Sequence, residues 1–122
     1  MKYDLGMRCR INGVDNRTLK IVKAGRAVPI SQAFVKVTNI PDYPEEMSCE
    51  LLLGNSDVAD ENITLCNLVN KQIPKMPAGK LDLRAIVDID SSGCIKLSYK
   101  CENNGSIVTT SILAPDIVKS LY

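Results

Sequence analysis

Apolar and polar residues alternate with period two in short runs, cut by turn chemistry at intervals of about ten to fifteen residues, a pattern that predicts strands. In the longest run Leu81, Leu83, Ala85, Val87 and Ile89 fall on one face and Asp82, Arg84, Asp88 and Asp90 on the other, with Ile86 the apolar exception. After the turn Ser91-Ser92-Gly93, Ile95, Leu97, Tyr99 and Cys101 alternate in the same way and stop at Asn103-Asn104-Gly105, so the two runs form a hairpin. Six more strands are expected: Leu5 to Arg10, ended by Asn12-Gly13 and Asp15-Asn16; Leu19 to Lys23; Ala33 to Thr38; Met47 to Leu53; Ile63 to Val69; and Ser106 to Leu113. Pro74 and Pro77 fix their own φ angles and push their predecessors towards extended backbone, so Ile73 to Lys80 is an irregular, braced crossing. Pro41 and Pro44 make Asn39 to Pro44 a loop. The fold class is all-β, a β-sandwich of about eight strands. A short C-terminal helical turn is expected from Ala114 to Tyr122, where Pro115 and Asp116 open a segment with Ile117, Val118 and Leu121 on one side.

Composition narrows the function. At 122 residues there is room for one domain and its core. Fifteen Lys and Arg against 14 Asp and Glu leave no strong field, and one Phe and no Trp leave no stacking platform, so no nucleic acid is expected as a partner. No apolar stretch is long enough to span a membrane, and Met1-Lys2-Tyr3-Asp4 lacks a signal peptide's apolar core, so no membrane is expected either. Cys9, Cys49, Cys66, Cys94 and Cys101 are odd in number and contain no CxxC pair, which reads as free thiols in a reducing, cytoplasmic setting. The triplets at Asn16, Asn62 and Asn104 match the glycosylation pattern and weigh less, because such triplets are frequent by chance.

Catalytic chemistry has little to work with. The absence of histidine removes Ser-His-Asp and Cys-His nucleophiles and the commonest metal ligand together. Asp88-x-Asp90-x-Ser92-Gly93 opens like a calcium loop, but its twelfth position is Tyr99 and strands flank it, so a β-turn is expected and a metal site is not. Gly6, Gly13, Gly25 and Gly54 stand singly and build no phosphate loop. An enzyme is not expected. Met7, Cys9, Phe34, Met47 and Cys49 are soft, adaptable side chains of the kind that line sites for varied apolar ligands, although core packing is their ordinary role.

The segment Ile73-Pro-x-x-Pro-x-Gly79, followed by Asp88-Ile89-Asp90-x-x-Gly93-x-Ile95-x-Leu97-Ser98, resembles the substrate-binding β-domain of the 70-kilodalton heat-shock chaperones, the DnaK-like family. Leu5-Gly6, Lys20-Ile21-Val22-Lys23, Val28-Pro29, Ser31-Gln32-Ala33-Phe34, Leu53-Gly54 and Ala59-Asp60-Glu61-Asn62 follow in the family's order, so the resemblance covers nearly the whole chain. It implies a peptide-binding β-sandwich over residues 1–113 and the start of a truncated helical lid over 114–122. By position it implies a pocket for an extended hydrophobic peptide made of Met7, Cys9, Phe34, Val37, Met47, Cys49 and Leu83, closed by an arch near Arg10 and Val37. Three departures stand out: Met47 where a smaller β-branched residue is usual, Arg10 where an apolar arch residue is usual, and a longer loop around Pro41 and Pro44. The implied partners are unfolded polypeptide, the ATPase domain of a parent chain, and co-chaperones. ATP would enter only through that ATPase domain, which is missing here, so no cofactor is expected in this chain. The alternative is a degenerate scaffold or regulatory domain of a divergent chaperone relative that binds no peptide. An adhesion-type sandwich, which would carry a disulfide, ranks below both.

Overall fold

The hairpin with the longest alternation forms the centre of one sheet. In the computed structural model, which describes residues 3–112, β1 (Leu5–Ile11), β2 (Val14–Val22), β4 (Met47–Leu53) and β5 (Ile63–Asn70) form one antiparallel sheet in the order β2-β1-β4-β5. The second contains β3 (Ile30–Val37), β6 (Leu83–Ile89), β7 (Ile95–Cys101) and β8 (Ile107–Ile112), ordered β3-β6-β7-β8. The described residues form an all-β sandwich of eight strands, as the periodicity predicts, with one 3-10 turn at Ala59–Glu61.

Register explains the core. Leu83 pairs with Cys101, Ala85 with Tyr99, Val87 with Leu97 and Ile89 with Ile95; directly opposed residues share a face, and all eight are buried. Small Ala85 opposite Tyr99 leaves room for the ring. Leu5, Met7, Cys49, Leu51 and Leu53 meet them from the other sheet. The turn after β6 is held by Asp90, whose Oδ1 accepts from the Ser92 and Cys94 amides and the Ser92 hydroxyl. Ile86, the apolar exception, lies opposite Phe34 on the outer face of the second sheet.

Two boundaries differ from the sequence reading. β2 begins at Val14 rather than Leu19, because Asn12 (φ 51°) and Gly13 (φ 78°) close a two-residue turn and leave Asp15 and Asn16 inside the strand. The register slips between Cys9 and Ile11, where this hairpin absorbs an irregularity. β3 begins earlier as well, at Ile30, with a slip between Ile30 and Ala33 around Gln32 (φ 55°). The end of the eighth strand at Leu113 and the helical turn at 114–122 lie outside the described residues.

Candidate binding cavity

β1 and β4 lie side by side, yet their ladder contains only Leu5↔Leu53, Gly6↔Leu52 and Met7↔Leu51. Beyond Met7, β1 continues with β2 as far as Ile11↔Val14, while β4 runs back to Met47 paired with β5. The sheet therefore splits, with Cys9 on one lip and Met47 on the other. Arg8 crosses the split just past the last rung, its Nε 2.6 Å from Glu50 Oε2, and also holds Asp60 at 2.8 Å and Asn16 Oδ1 at 2.7 Å.

Next to this split is a cavity of about 720 Å³, within the range of roughly 300–1,000 Å³ usual for ligand clefts. Met7, Leu81 and Tyr99, all buried, are among its lining residues. Cys9, Leu19, Val37 and Met47 line the sides, and Ile40 and Pro41 stand at the mouth. Arg8, Arg10, Lys36 and Lys80 reach the lining against a single acid, Asp82.

The mouth is held by Asn39. Only 1% exposed, its amide nitrogen donates to the carbonyls of Pro41 (2.8 Å), Pro77 (3.1 Å) and Met76 (3.2 Å), and its Oδ1 accepts from the Leu81 amide at 3.1 Å. The Gly79 amide donates to the Asn39 carbonyl at 2.9 Å, the Tyr43 amide to Met76 at 2.8 Å, and the Ala78 amide to Asp42 Oδ1 at 2.8 Å. The proline-braced crossing is thus joined to the β3–β4 loop, and the two together frame the opening.

The structure brings five residues named from sequence to the cavity: Met7, Cys9, Arg10, Val37 and Met47. Arg10 and Val37, named as an arch, lie in its wall, and Arg10 reaches Asp15 at 3.7 Å. Cys49 and Leu83 are fully buried behind the lining. Phe34 is the correction: Ala33, Val35 and Val37 pack towards the core, so Phe34 points outward, 50% exposed, with the Arg84 guanidinium 5.4 Å from its ring centroid. Sequence reasoning missed Leu19, Ile40, Leu81 and Tyr99. Leu81 and Tyr99 stood in the alternating runs, where nothing distinguished a wall of the cavity from the sealed core.

Burial raises the Cys9 thiol above its ordinary pKa. Cys49 is pushed up to about 12, by burial first and then by Cys66 and Glu50 nearby. Burial also raises the Tyr99 phenol, with the Cys49 and Cys101 thiols adding to it. Neutral thiols and a neutral phenol therefore face the interior. All five cysteines are free. Among the described residues no cluster of metal-ligating side chains and no helix long and apolar enough to cross a membrane is present.

No family model matches the chain. It is similar to the chaperone protein HscA of Buchnera aphidicola subsp. Baizongia pistaciae (strain Bp), 28% identical over 93 residues, which is 76% of this chain. That likeness is to a chaperone. The chain spans 18% of the length of that relative, so the likeness supports a chaperone-related role and leaves the relative's whole activity aside.

Proposed function

We propose that this domain binds short, extended, hydrophobic segments of unfolded polypeptide, as the substrate-binding part of a chaperone. The observation that carries the reading is the split between β1 and β4 beside an apolar cavity. A ladder that stops at Met7↔Leu51 leaves strand edges beyond it, and an extended peptide can add main-chain hydrogen bonds there while one side chain enters the cavity. The likeness to a chaperone agrees with it. Binding of this kind needs no catalysis and no cofactor from these residues; an ATPase domain of a parent chain and co-chaperones would be its partners, in a cytoplasmic setting.

Because the lining holds four cations, of which Arg8 is paired with Glu50 and Asp60, beside one acid, the probe is a fluorescein-labelled heptapeptide with a leucine-rich centre and a glutamate at each end. Fluorescence anisotropy should rise on titration and saturate. Met47→Trp, which fills the cavity from its lip, should abolish the rise while leaving the circular dichroism spectrum intact. Equal affinity in that variant would refute the cavity as the binding site. A second reading, a scaffold whose groove has closed, is favoured by the Arg8–Glu50 bridge across the split. It predicts no binding of any such peptide.

A further inference from the structure

The split between β1 and β4 has a clasp at its root. Arg8 and Glu50 are the first opposed residues beyond the last rung, Met7↔Leu51, and they share the outer face of the sheet, since Met7 and Cys49 turn to the core. Where the next main-chain rung would stand, side chains join the strands instead: Arg8 Nε lies 2.6 Å from Glu50 Oε2. Both side chains are shielded in part, 35% and 27% exposed, so this pair is screened less than a fully solvated one.

The guanidinium is not free to follow Glu50. Its Nη1 holds Asp60 Oδ1 at 2.8 Å and Asn16 Oδ1 at 2.7 Å. Asn16 stands on β2, and Asp60 in the loop 54–62, which leaves β4 and enters β5 but is fastened to β2 on the way. The Asp60 amide donates to Asn16 Oδ1 at 3.0 Å, the Thr18 amide to the Asp57 carbonyl at 2.9 Å, and Asn62 Nδ2 to Thr18 Oγ1 at 3.0 Å. In the sheet order β2-β1-β4-β5 the loop therefore spans the junction that the split interrupts, and Arg8 binds the loop, β2 and β4 together. An edge that receives an extended chain must meet it at strand spacing, about 4.8 Å. Lips free to drift would have to be ordered by each peptide, and that ordering is subtracted from affinity. We propose that Arg8 is a positioning residue: anchored on Asp60 and Asn16 and bridged to Glu50, it holds the two lips at a fixed spacing before a peptide arrives and so sets how long a bound peptide stays. This inference rests on the peptide-binding reading above and deepens it, and it opposes the reading in which the same bridge closes the groove.

The test follows release of the glutamate-flanked heptapeptide by stopped-flow anisotropy from the protein, from Glu50→Gln and from Glu50→Ala, both of which leave Arg8 with Asp60 and Asn16. Dissociation should quicken in that order, by about fivefold in Glu50→Ala. Neutralising Glu50 would by charge alone hold an acidic probe longer, so faster release has the opposite sign to that effect. Asp4→Asn loosens the far end of β1, where Asp4 meets Lys20, and controls for lost stability; its release rate should stay within about twofold of the unmodified protein. Release from Glu50→Ala that is unchanged within about twofold, or slower, would overturn the proposal and leave peptide binding standing, as would equal acceleration by Asp4→Asn. Hydrogen exchange gives a readout that needs no peptide: amides in 8–11 and 47–50 should exchange faster in Glu50→Ala while those in 83–89 keep their rate, and unchanged lips would overturn the proposal. If no peptide binds the unmodified protein, the peptide-binding reading falls and the proposal falls with it.

Discussion

Asn39→Ala removes the clamp at the mouth of the cavity, and its cost follows from the bonds it breaks. The Leu81 amide, which donates to Asn39 Oδ1 at 3.1 Å in a buried position, loses its acceptor, and a buried donor left unpaired costs about 1–3 kcal/mol. The amide nitrogen shares two hydrogens among the carbonyls of Pro41, Met76 and Pro77; these lie nearer solvent, so water replaces part of the loss, and about 0.5–1.5 kcal/mol for each hydrogen is appropriate. The sum is roughly 2–6 kcal/mol, a large share of the stability of about 5–15 kcal/mol usual for a domain. At about 4 °C per kcal/mol for a domain of this size, the melting temperature should fall by roughly 8–24 °C. Urea unfolding followed by circular dichroism measures the free energy directly, and peptide titration at low urea reports whether the mouth still forms. Asn39→Asp sharpens the test. It keeps an acceptor for Leu81 but turns a carboxylate towards three carbonyl oxygens, so at neutral pH it should cost at least as much as alanine. The introduced carboxyl would have a folded pKa raised above its unfolded value. Its penalty should therefore shrink as pH falls through that raised value, because the protonated form can donate again. A change below about 0.5 kcal/mol in Asn39→Ala, or an Asn39→Asp variant insensitive to acid, would refute the clamp.

Phe34→Ala should leave peptide affinity within about twofold, since the ring lies on the outer face with Arg84; a tenfold loss would return Phe34 to the site. Cys9 lines the cavity and is partly exposed, whereas Cys49 and Cys101 are buried, so peptide should slow alkylation of Cys9 selectively, read by mass spectrometry, with Cys49 and Cys101 unlabelled in either state. Burial would raise the Asp4 carboxyl, but the Lys20 ammonium at 2.7 Å and the Ala24 amide at 2.6 Å outweigh it and hold the pKa below its ordinary value of 3.8. A depressed folded pKa stabilises above the unfolded value and ceases to do so as pH falls through the folded one. Asp4→Asn should therefore cost about 1–3 kcal/mol at pH 7 and nothing once the carboxyl is protonated in both states. A cost that persists at pH 2 would refute the ion pair as its source.

What can be read from this chain alone is whatever has a local cause. Period-two alternation marks Leu83–Ile89 and Ile95–Cys101 as strands, and Pro74 and Pro77 exclude regular structure from the crossing wherever it goes. Softness marks Met7, Cys9 and Met47 as candidates, the resemblance adds Val37, and the fold brings these four to one cavity. Side-chain type and the resemblance both point to Phe34, against its own alternation with Ala33, Val35 and Val37; a strand side chain one residue out of phase points to the opposite face. The rest was decided by neighbours that no local pattern names. Asn39 reads as a loop asparagine until it is seen bonded to residues 37 and 38 positions later in the chain. Tyr99 reads as one more inward residue of β7 until its hydroxyl is found without a partner among the described residues. The split beyond Met7↔Leu51 exists because β1 follows β2 and β4 follows β5. Pairing between strands distant in sequence is a property of the assembled sheet, and side-chain periodicity along any one strand is the same whether its edge is paired or open.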